Sequence, residues 1–291
     1  MRRMTRTPGT LYLVATPIGN LEDITARALR LLAEVDLIAC EDTRHTRVLL
    51  NHYQIKTKTI SYHEHNEGAR AEELCGMIET GASVAVVSDA GMPGVNDPGY
   101  RIVRAAVTRG LRVVPVPGAT AFVAALIASG LPTDEFFFGG FLPPRAHARR
   151  ARFAEVRTLS ATLLFYEAPH RIAESIADAR EILGEREAVV ARELTKLYEE
   201  FVRGRLSELA SRFRAEGAAR GEMVMVIDRT VIETKTSDSD DRMTSVAERV
   251  AALEAEGLDA RTALKRAARE LGLSRDEAYR RLVSERARLK E

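Results

Sequence analysis

Residues 84–99 read Val-Ala-Val-Val-Ser-Asp-Ala-Gly-Met-Pro-Gly-Val-Asn-Asp-Pro-Gly. The four apolar residues at the start, three of them valine, predict a strand that is buried on both faces of a parallel sheet. Most residues after Asp89 are Gly, Pro, Asn or Asp, which form loops that a ligand can approach closely. A second glycine-containing turn, Val116–Thr120, follows the next predicted strand. Because ligands of open α/β sheets bind beyond the carboxyl ends of the strands, the two loops predict a binding cleft.

The composition limits the class of protein. The 291 residues carry 43 Lys and Arg against 42 Asp and Glu, so any sign of nucleic-acid binding must be local rather than global. The two cysteines, Cys40 and Cys75, are too few for a disulfide framework or a zinc site and fit a reduced, cytoplasmic location. No apolar run approaches the roughly 18 residues of a membrane span, so we expect no membrane association.

Strand-like and helix-like segments alternate along the first part of the chain, which predicts an α/β fold. We expect a flexible tail over residues 1–9, followed by an N-terminal α/β domain with a mostly parallel five-stranded sheet over 10–117. A second α/β domain of mixed strand direction is expected over 118–230. A linker over 231–243 and a small helical domain over 244–291 complete the expected organisation. The last segment resembles a helix-turn-helix, with Gly257 and Gly272 as helix C-terminal residues and a capping box from Ser274 to Glu277.

Three polar clusters follow predicted strands, and they are candidates for a site between the two α/β domains. They are Glu41–Arg44, Glu167–Arg171 and Glu193–Lys196. The chain has no Gly-x-Gly-x-x-Gly after its first strand, no P-loop and no nucleophile elbow, so an ordinary dinucleotide site and a protein nucleophile are both disfavoured. Chemistry carried by a bound cofactor is the better hypothesis. The alternative is that the clusters are ion pairs that brace the domain interface.

Two further patterns have competing interpretations. Residues 145–157 contain five arginines, at 145, 149, 150, 152 and 157, and a single acidic residue, Glu155. This composition favours an RNA-contacting arm over a merely solvated helix face. His63 and His65 could hold a metal, but no matching Cys or His pair exists elsewhere in the sequence, so polar loop contacts are the preferred reading and we expect no metal.

The motifs resemble those of a known family. Thr16–Thr25, Ser88–Pro93 and Pro117–Ala121 resemble the opening motif and the two cofactor loops of the tetrapyrrole methylase superfamily. Four further motifs resemble its bacterial branch that methylates the ribose 2′-hydroxyl of a cytidine in the decoding region of 16S ribosomal RNA: Glu41–Arg44, Tyr62–Glu67, Tyr166–Arg171 and Arg192–Lys196. The resemblance extends from Gly9 to Asp228.

The resemblance implies a fold, a cofactor and partners. The fold would be two α/β domains around a cofactor cleft, with a small helical C-terminal domain, in a cytoplasmic homodimer that acts on 16S ribosomal RNA or the small ribosomal subunit. The cofactor would be S-adenosylmethionine, whose lack of phosphate agrees with the missing phosphate loops and whose sulfonium suits a carboxylate neighbour. The implied cofactor contacts are Pro17, Asp89, Gly91, Met92, Thr120, Ala121 and Tyr166, and the expected RNA contacts are Arg145, Arg149, Arg150, Arg152 and Arg171.

A ribose hydroxyl is a poor nucleophile, so methyl transfer to it calls for a group that accepts its proton. The branch-specific clusters are the expected source, because the cofactor loops are shared with enzymes that perform other chemistry. The catalytic candidates are Glu193, Lys196, Glu41, Arg44, Glu167 and His170.

Two other functions remain as alternatives. One is a methyltransferase for a small tetrapyrrole of the precorrin type, which would share the cofactor loops and act on a carbon acid. The other is a helix-turn-helix regulator whose α/β part only senses a ligand. The arginine-rich helix and the branch-specific motifs favour RNA methylation over the first, and the small size of the C-terminal segment disfavours the second.

Overall fold

The computed structural model describes residues 8–217, 220–229, 245–271 and 273–288. Contacts within the chain separate it into two compact units, residues 1–231 and residues 232–291. Most of the predicted tail, residues 1–7, and the predicted linker, residues 231–243, lie outside the described residues. Among the described helices, none has both the length and the apolar character that crossing a bilayer requires.

The first half of the larger unit is a five-stranded sheet in which every pairing is parallel, in the order β3-β2-β4-β1-β5. Its elements alternate as predicted: β1 (Thr10–Val14), α1 (Ala26–Glu34), β2 (Leu37–Cys40), α2 (Thr43–His52), β3 (Thr59–Ser61), α3 (Glu67–Glu79), β4 (Val84–Val87), α4 (Tyr100–Thr108) and β5 (Arg112–Val116). A short 3₁₀ turn at Leu21–Asp23 precedes α1.

The second half of this unit is a mixed five-stranded sheet in the order β6-β7-β10-β8-β9. Only the β6–β7 pairing is parallel among the described pairings of this sheet. The elements are α5 (Ala121–Ser129), β6 (Phe136–Phe141), α6 (Ala146–Val156), β7 (Thr162–Glu167), α7 (Ile172–Leu183), β8 (Glu187–Arg192), β9 (Glu200–Arg205), α8 (Leu206–Glu216) and β10 (Met223–Ile227). The prediction of a mostly parallel sheet followed by a mixed one is therefore confirmed.

Strand β4 lies at the centre of the first sheet, and its four side chains are buried on both faces, as the run of apolar residues predicted. Val84 and Val86 pack into one core, whereas Ala85 and Val87 pack into the core on the opposite face. Full burial of each valine contributes about 1.5–3 kcal/mol relative to exposure, which fixes this strand inside the sheet.

The smaller unit contains three helices, α9 (Val246–Ala255), α10 (Ala260–Glu270) and α11 (Arg275–Arg288), around a core of small apolar side chains. Gly257 follows α9 with a φ of +95°, in agreement with its predicted C-terminal position. Ser274 Oγ accepts a hydrogen bond from the backbone N–H of Glu277, as expected of an N-cap. The other predicted C-terminal glycine, Gly272, lies outside the described residues.

Two local features lie at the carboxyl edge of this sheet. Helix α2 begins at Thr43, where the Asp42 carboxylate caps it by accepting a hydrogen bond from the backbone N–H of Arg44. Strand β1 ends at Val14, and Thr16 beyond it forms an isolated bridge with Gly91.

The arginine-rich helix α6 is not a uniformly exposed arm. Arg149 is only 1% exposed, and its guanidinium forms an ion pair with the buried carboxylate of Asp178 on α7, with an Nε–Oδ2 distance of 2.7 Å. Arg150 binds the other oxygen of the same carboxylate at 2.7 Å. The expectation that Arg149 contacts RNA is therefore corrected: its charge stabilises the packing of α6 against α7.

Replacing Asp178 with alanine should leave the buried Arg149 charge without its main partner. Breaking a buried ion pair in this way costs about 3–5 kcal/mol of unfolding free energy, whereas an exposed pair contributes at most about 1 kcal/mol. We therefore expect a large fall in the urea denaturation midpoint for Asp178→Ala and a small one for the control Glu155→Ala, which breaks the exposed Arg152–Glu155 pair of 2.7 Å. Equal midpoints for the two variants would contradict the structural role of Arg149.

Candidate active site

A cavity of about 390 Å³ lies between the carboxyl edge of the first sheet and the second sheet. The first half contributes the loops after β1, β4 and β5, and the second half contributes the ends of β6 and β7, the turn after β8 and the start of β10. The lining residues are Ile18, Ala90, Gly91, Met92, Val95, Asn96, Asp97, Thr120, Ala121, Phe141, Tyr166, Glu167, Ala168, Pro169, Leu194, Glu222, Met223 and Val224. Among the described residues of this lining, the ionisable groups are carboxyls and one phenol, and none is Lys, Arg or His.

Backbone hydrogen bonds join the loops after β1 and β4. The backbone N–H of Thr16 donates to the carbonyl of Gly91 at 2.9 Å, and the N–H of Gly91 donates to the carbonyl of Thr16 at 3.1 Å. Buried Ser88 donates its hydroxyl to the Gly91 carbonyl at 3.0 Å. Gly91 has a φ of +86°, a conformation that glycine adopts without strain and valine does not. Hydrogen bonds between the loops after β1 and β4 therefore fix this side of the cavity.

Two glycines allow the halves to meet closely beside the cavity. A Cβ atom at Gly19 would lie 2.5 Å from Lys196 Cγ and 2.9 Å from Thr195 Oγ1, and one at Gly140 would lie 2.7 Å from Asn96 Oδ1. Each contact joins a loop of one half to a segment of the other. A side chain at either glycine would force these facing side chains to shift, because real Cβ atoms essentially never show contacts under 3.0 Å.

Most of the residues expected to contact a cofactor line this cavity: Gly91, Met92, Thr120, Ala121 and Tyr166. Pro17 and Asp89 do not belong to the lining. Asp89 instead accepts a hydrogen bond from the backbone N–H of Asp42 at 3.1 Å, so its carboxylate ties the loop after β4 to the loop after β2. The structure thus places the two expected loops together and gives Asp89 a structural partner.

Three carboxyls, Glu41, Asp89 and Asp97, lie near one another where the loops after β2 and β4 meet, and burial raises the pKa of two of them, Glu41 and Asp97. Asp97 lines the cavity, and burial is the main cause that raises its pKa to about 6, with the charges of Glu41 and Asp89 acting in the same direction and a hydrogen bond with Ser88 opposing it. Burial also raises the pKa of Glu41, again with help from the Asp89 charge. Sequence reasoning missed Asp97, although it lies within the 84–99 stretch.

Glu167 is enclosed by partners at the end of β7. Its side chain is fully buried, forms an ion pair with Arg171 at 2.6 Å, and accepts hydrogen bonds from the Ser175 hydroxyl and from the backbone N–H of Ala168. These contacts satisfy both carboxylate oxygens, whereas the buried Nε of Arg171 has no hydrogen-bond partner among the described residues. The Glu167–Arg171 pair therefore shapes the cavity wall and the start of α7, and His170 between them is exposed.

The turn after β8 is a strained segment held by charge. Glu193 and Thr195 have φ values of +52° and +67°, which are uncommon for residues other than glycine. Leu194, which lies between them, lines the cavity. Lys196 Nζ binds Glu193 Oε1 at 2.9 Å and Glu222 Oε2 at 3.1 Å. The pKa of Lys196 is raised by these carboxylates against the effect of burial, and the pKa of Glu193 is lowered chiefly by its hydrogen bond with Lys196, so both stay charged.

The remaining predicted residues lie away from the cavity lining. Arg44 is exposed in the first turn of α2 and pairs with Asp42 at 2.8 Å. His63 and His65 contact each other edge to face, and no group of described His, Cys, Asp and Glu residues has the arrangement of a metal site. Cys40 and Cys75 are buried free thiols.

The expected RNA contacts differ among themselves in exposure. Arg145 is exposed at the start of α6, and Arg150 is partly exposed while bound to Asp178 and Glu181. Arg152 pairs with Glu155 and stacks over the Phe137 ring at 5.2 Å. These arginines keep surfaces that a phosphate could reach, in contrast to buried Arg149.

Known proteins match the chain along most of its length. The family model described as Tetrapyrrole (Corrin/Porphyrin) Methylases matches residues 10–210. The chain is 46% identical over 271 residues to Ribosomal RNA small subunit methyltransferase I of Halalkalibacterium halodurans, with 93% of each chain covered. It is 47% identical over 282 residues to the protein of the same name from Micromonospora olivasterospora, covering 96% of this chain and 88% of that one.

Solved structures show the same fold at low sequence identity. Diphthine synthase superposes with a TM-score of 0.59 at 16% identity, covering 76% of this chain and 90% of that chain. Uroporphyrin-III-C-methyltransferase from Thermus thermophilus superposes with a TM-score of 0.53 at 22% identity, covering 75% and 94%. The paired sheets, the cavity between them and the matches across most of the sequence agree: the chain belongs to the tetrapyrrole methylase family of methyltransferases, alongside the relatives named Ribosomal RNA small subunit methyltransferase I.

Proposed function

We propose that this chain transfers a methyl group from S-adenosylmethionine to the ribose 2′-hydroxyl of a cytidine in the decoding region of 16S ribosomal RNA. The observation that carries the proposal is the cavity, whose lining has carboxyls and apolar surface but no cationic side chain. Such a lining suits a cationic, phosphate-free ligand and is unsuited to a nucleotide that carries phosphates. The relatives named ribosomal RNA small subunit methyltransferase I supply the substrate class.

The residues present fit S-adenosylmethionine. A volume of about 390 Å³ falls within the usual range of small-molecule sites, and the lining combines apolar side chains with the loop residues Ala90 and Gly91. Glu222 provides negative charge for a sulfonium, and Tyr166 offers a phenol whose pKa burial raises to about 12. When bound, the cofactor supplies a methyl group that is already activated, so the protein needs only to orient the acceptor and manage its proton.

Glu193 and Lys196 are better suited to positioning than to proton transfer. Their mutual ion pair and the contact of Lys196 with Glu222 hold the strained turn that presents Leu194 to the cavity. We propose that this network fixes the cavity wall contributed by the second sheet. Arg44 and His170, which are exposed, are proposed as contacts to the RNA around the acceptor nucleotide rather than as catalytic groups.

A cationic surface suited to RNA lies on α10. Arg261, Lys265 and Arg269 recur at four-residue spacing, are exposed, and form no ion pair with another described residue. Arginine and lysine aligned on one helix face match the repeated charge of a phosphate backbone. We propose that this face, together with Arg145 and Arg152 on α6, contributes the RNA contacts that the sequence had assigned partly to Arg149.

The proposed activity is tested by mapping ribose methylation in 16S ribosomal RNA from cells with and without this chain. We expect one decoding-region cytidine to lose its 2′-O-methyl group in the deletion strain and to regain it when the chain is restored. The fold neighbour named uroporphyrin-III-C-methyltransferase makes a small tetrapyrrole the competing acceptor. Unchanged ribosomal methylation in the deletion strain, with methyl transfer by the purified chain to such a tetrapyrrole, would replace the proposal.

Gly91→Val should weaken cofactor binding strongly, because the backbone at this position has a φ of +86° and lines the cavity. We expect isothermal titration calorimetry to show at least a tenfold increase in the dissociation constant of S-adenosylmethionine. Gly76→Ala is the matched control, since it lies within α3 and a Cβ there would meet no other atom within 4 Å. Unchanged affinity in Gly91→Val would place the cofactor elsewhere.

Reversing the three exposed charges of α10, as Arg261→Glu, Lys265→Glu and Arg269→Glu, should weaken RNA binding without affecting the cofactor. The slope of log affinity against log salt concentration should become shallower by roughly two to three, about one per lost phosphate contact. The control reverses three scattered exposed arginines of the larger unit, Arg27, Arg104 and Arg214. If both triple variants lose RNA affinity equally, only the net charge matters and α10 is not a specific contact.

A further inference from the structure

We propose that Asp97 accepts the ribose hydroxyl proton during methyl transfer. The inference rests on the proposed function and names the group that completes its chemistry. Asp97 lies in the loop after β4 and lines the same cavity as Gly91, Met92 and Tyr166. It is therefore placed among the residues expected to hold the methyl donor, where an acceptor hydroxyl must also arrive.

The other ionisable groups of the cavity are less suited to accept this proton, because each either forms an ion pair or already holds its own proton at neutral pH. Glu167 is fully buried and bound to Arg171 and Ser175. Glu222 binds Lys196 at 3.1 Å, and its side chain is 77% exposed. Tyr166 holds its proton at neutral pH, because burial raises the pKa of its phenol to about 12. Asp97 alone among the lining carboxyls forms no ion pair with a described cation.

The candidates outside the cavity lining are also poorly suited to this role. The Lys196 ammonium is held between two carboxylates that raise its pKa, so it cannot accept a proton. Glu193 has a lowered pKa because Lys196 binds it, which makes it a weak base. Burial raises the pKa of Glu41, as it does that of Asp97, but Glu41 does not line the cavity.

The surroundings of Asp97 keep it basic enough to act near neutral pH. Glu41 faces it from the loop after β2, Ser88 and Asp89 face it from the end of β4, and Tyr166 faces it from β7. None of these groups is cationic, and the two carboxylates favour protonation of Asp97. A base is most effective when its pKa lies near the working pH, and about 6 meets that condition.

The proposed step is balanced in atoms and charge. The 2′-oxygen forms a bond to the methyl carbon while the bond between that carbon and sulfur breaks, and its electron pair stays on sulfur, which becomes a neutral thioether. The hydroxyl proton moves to an Asp97 carboxylate oxygen and later leaves to water. One positive and one negative charge disappear together, so the step creates no net charge inside a partly buried cavity.

The experiment measures single-turnover methyl transfer to purified small ribosomal subunits between pH 5.5 and 8.5, with the cofactor saturating. For Asp97→Asn we expect a fall of roughly 10²–10⁴-fold, the usual contribution of a positioned base, with an S-adenosylmethionine dissociation constant within fivefold of that of the parent. The parent rate should rise with pH and level off, whereas the residual rate of the variant should lose that profile. Asp97→Glu should restore part of the rate, and the exposed Glu34→Gln is the matched control.

Stability gives a second readout that separates a base from a structural carboxylate. Asp97 has a folded pKa of about 6, above its value in the unfolded chain, so the destabilisation that comes from its ionisation grows between about pH 4 and pH 6 and is complete above that range. Cofactor-free Asp97→Asn should therefore melt at a higher temperature than the parent at pH 8, and the difference should shrink as the pH falls toward 4. A structural carboxylate would give the opposite sign at pH 8.

The possible results are distinct. Asp97→Asn with the parent rate, or with lost cofactor affinity and lowered stability, would overturn the role of Asp97 while leaving the proposed function intact. A parent protein that transfers no methyl group to the ribosomal subunit would instead overturn the proposed function itself. A slow variant that binds cofactor normally, melts higher at pH 8 and is partly rescued by Asp97→Glu would establish the inference.

Discussion

The active cavity depends on the close approach of two sheet edges. The loop after β1 reaches the turn after β8 at Gly19, and the loop after β4 reaches the end of β6 at Gly140. At both places a glycine packs directly against side chains of the facing segment, Lys196 and Thr195 at Gly19 and Asn96 at Gly140. Because the cavity lies between these loops, these contacts help to set its width. Positioning of this kind is what a reaction with an already activated methyl group requires.

Charge is distributed between two regions of the chain. The cavity has carboxyls and no cationic side chain in its lining, whereas exposed arginine and lysine occur on α6 and α10. The proposed cationic cofactor and a polyanionic RNA need opposite environments, and these regions are candidates for both although the net charge of the chain is only +1. The near balance of 43 basic and 42 acidic residues over the whole chain does not report such local differences in charge.

The sequence predicted the fold well and the detailed site less completely, for physical reasons. Apolar runs such as Val84–Val87 indicate burial, and glycine-rich segments after strands indicate loops that a ligand can approach. The two sheets and the loops after β4 and β5 were therefore predicted correctly. Arg149 could not be assigned correctly from the sequence, because its burial depends on an ion pair with Asp178, which lies on a different helix. Asp97 shows the converse, since its proton affinity comes from burial and from the nearby carboxyls Glu41 and Asp89, and Glu41 is distant in sequence.

The cluster Glu193–Lys196 shows how a structural role and a functional one can coincide. A left-handed conformation at a residue other than glycine costs about 1–3 kcal/mol, and this turn contains two, Glu193 and Thr195. Lys196 in this turn contacts Glu193 and Glu222, and Lys196 and Thr195 pack against Gly19 of the other half. In the proposed positioning role, these contacts hold Leu194 in the cavity lining. The ion pairs that the sequence left as an alternative to catalysis are, in this proposal, supports of the cavity wall.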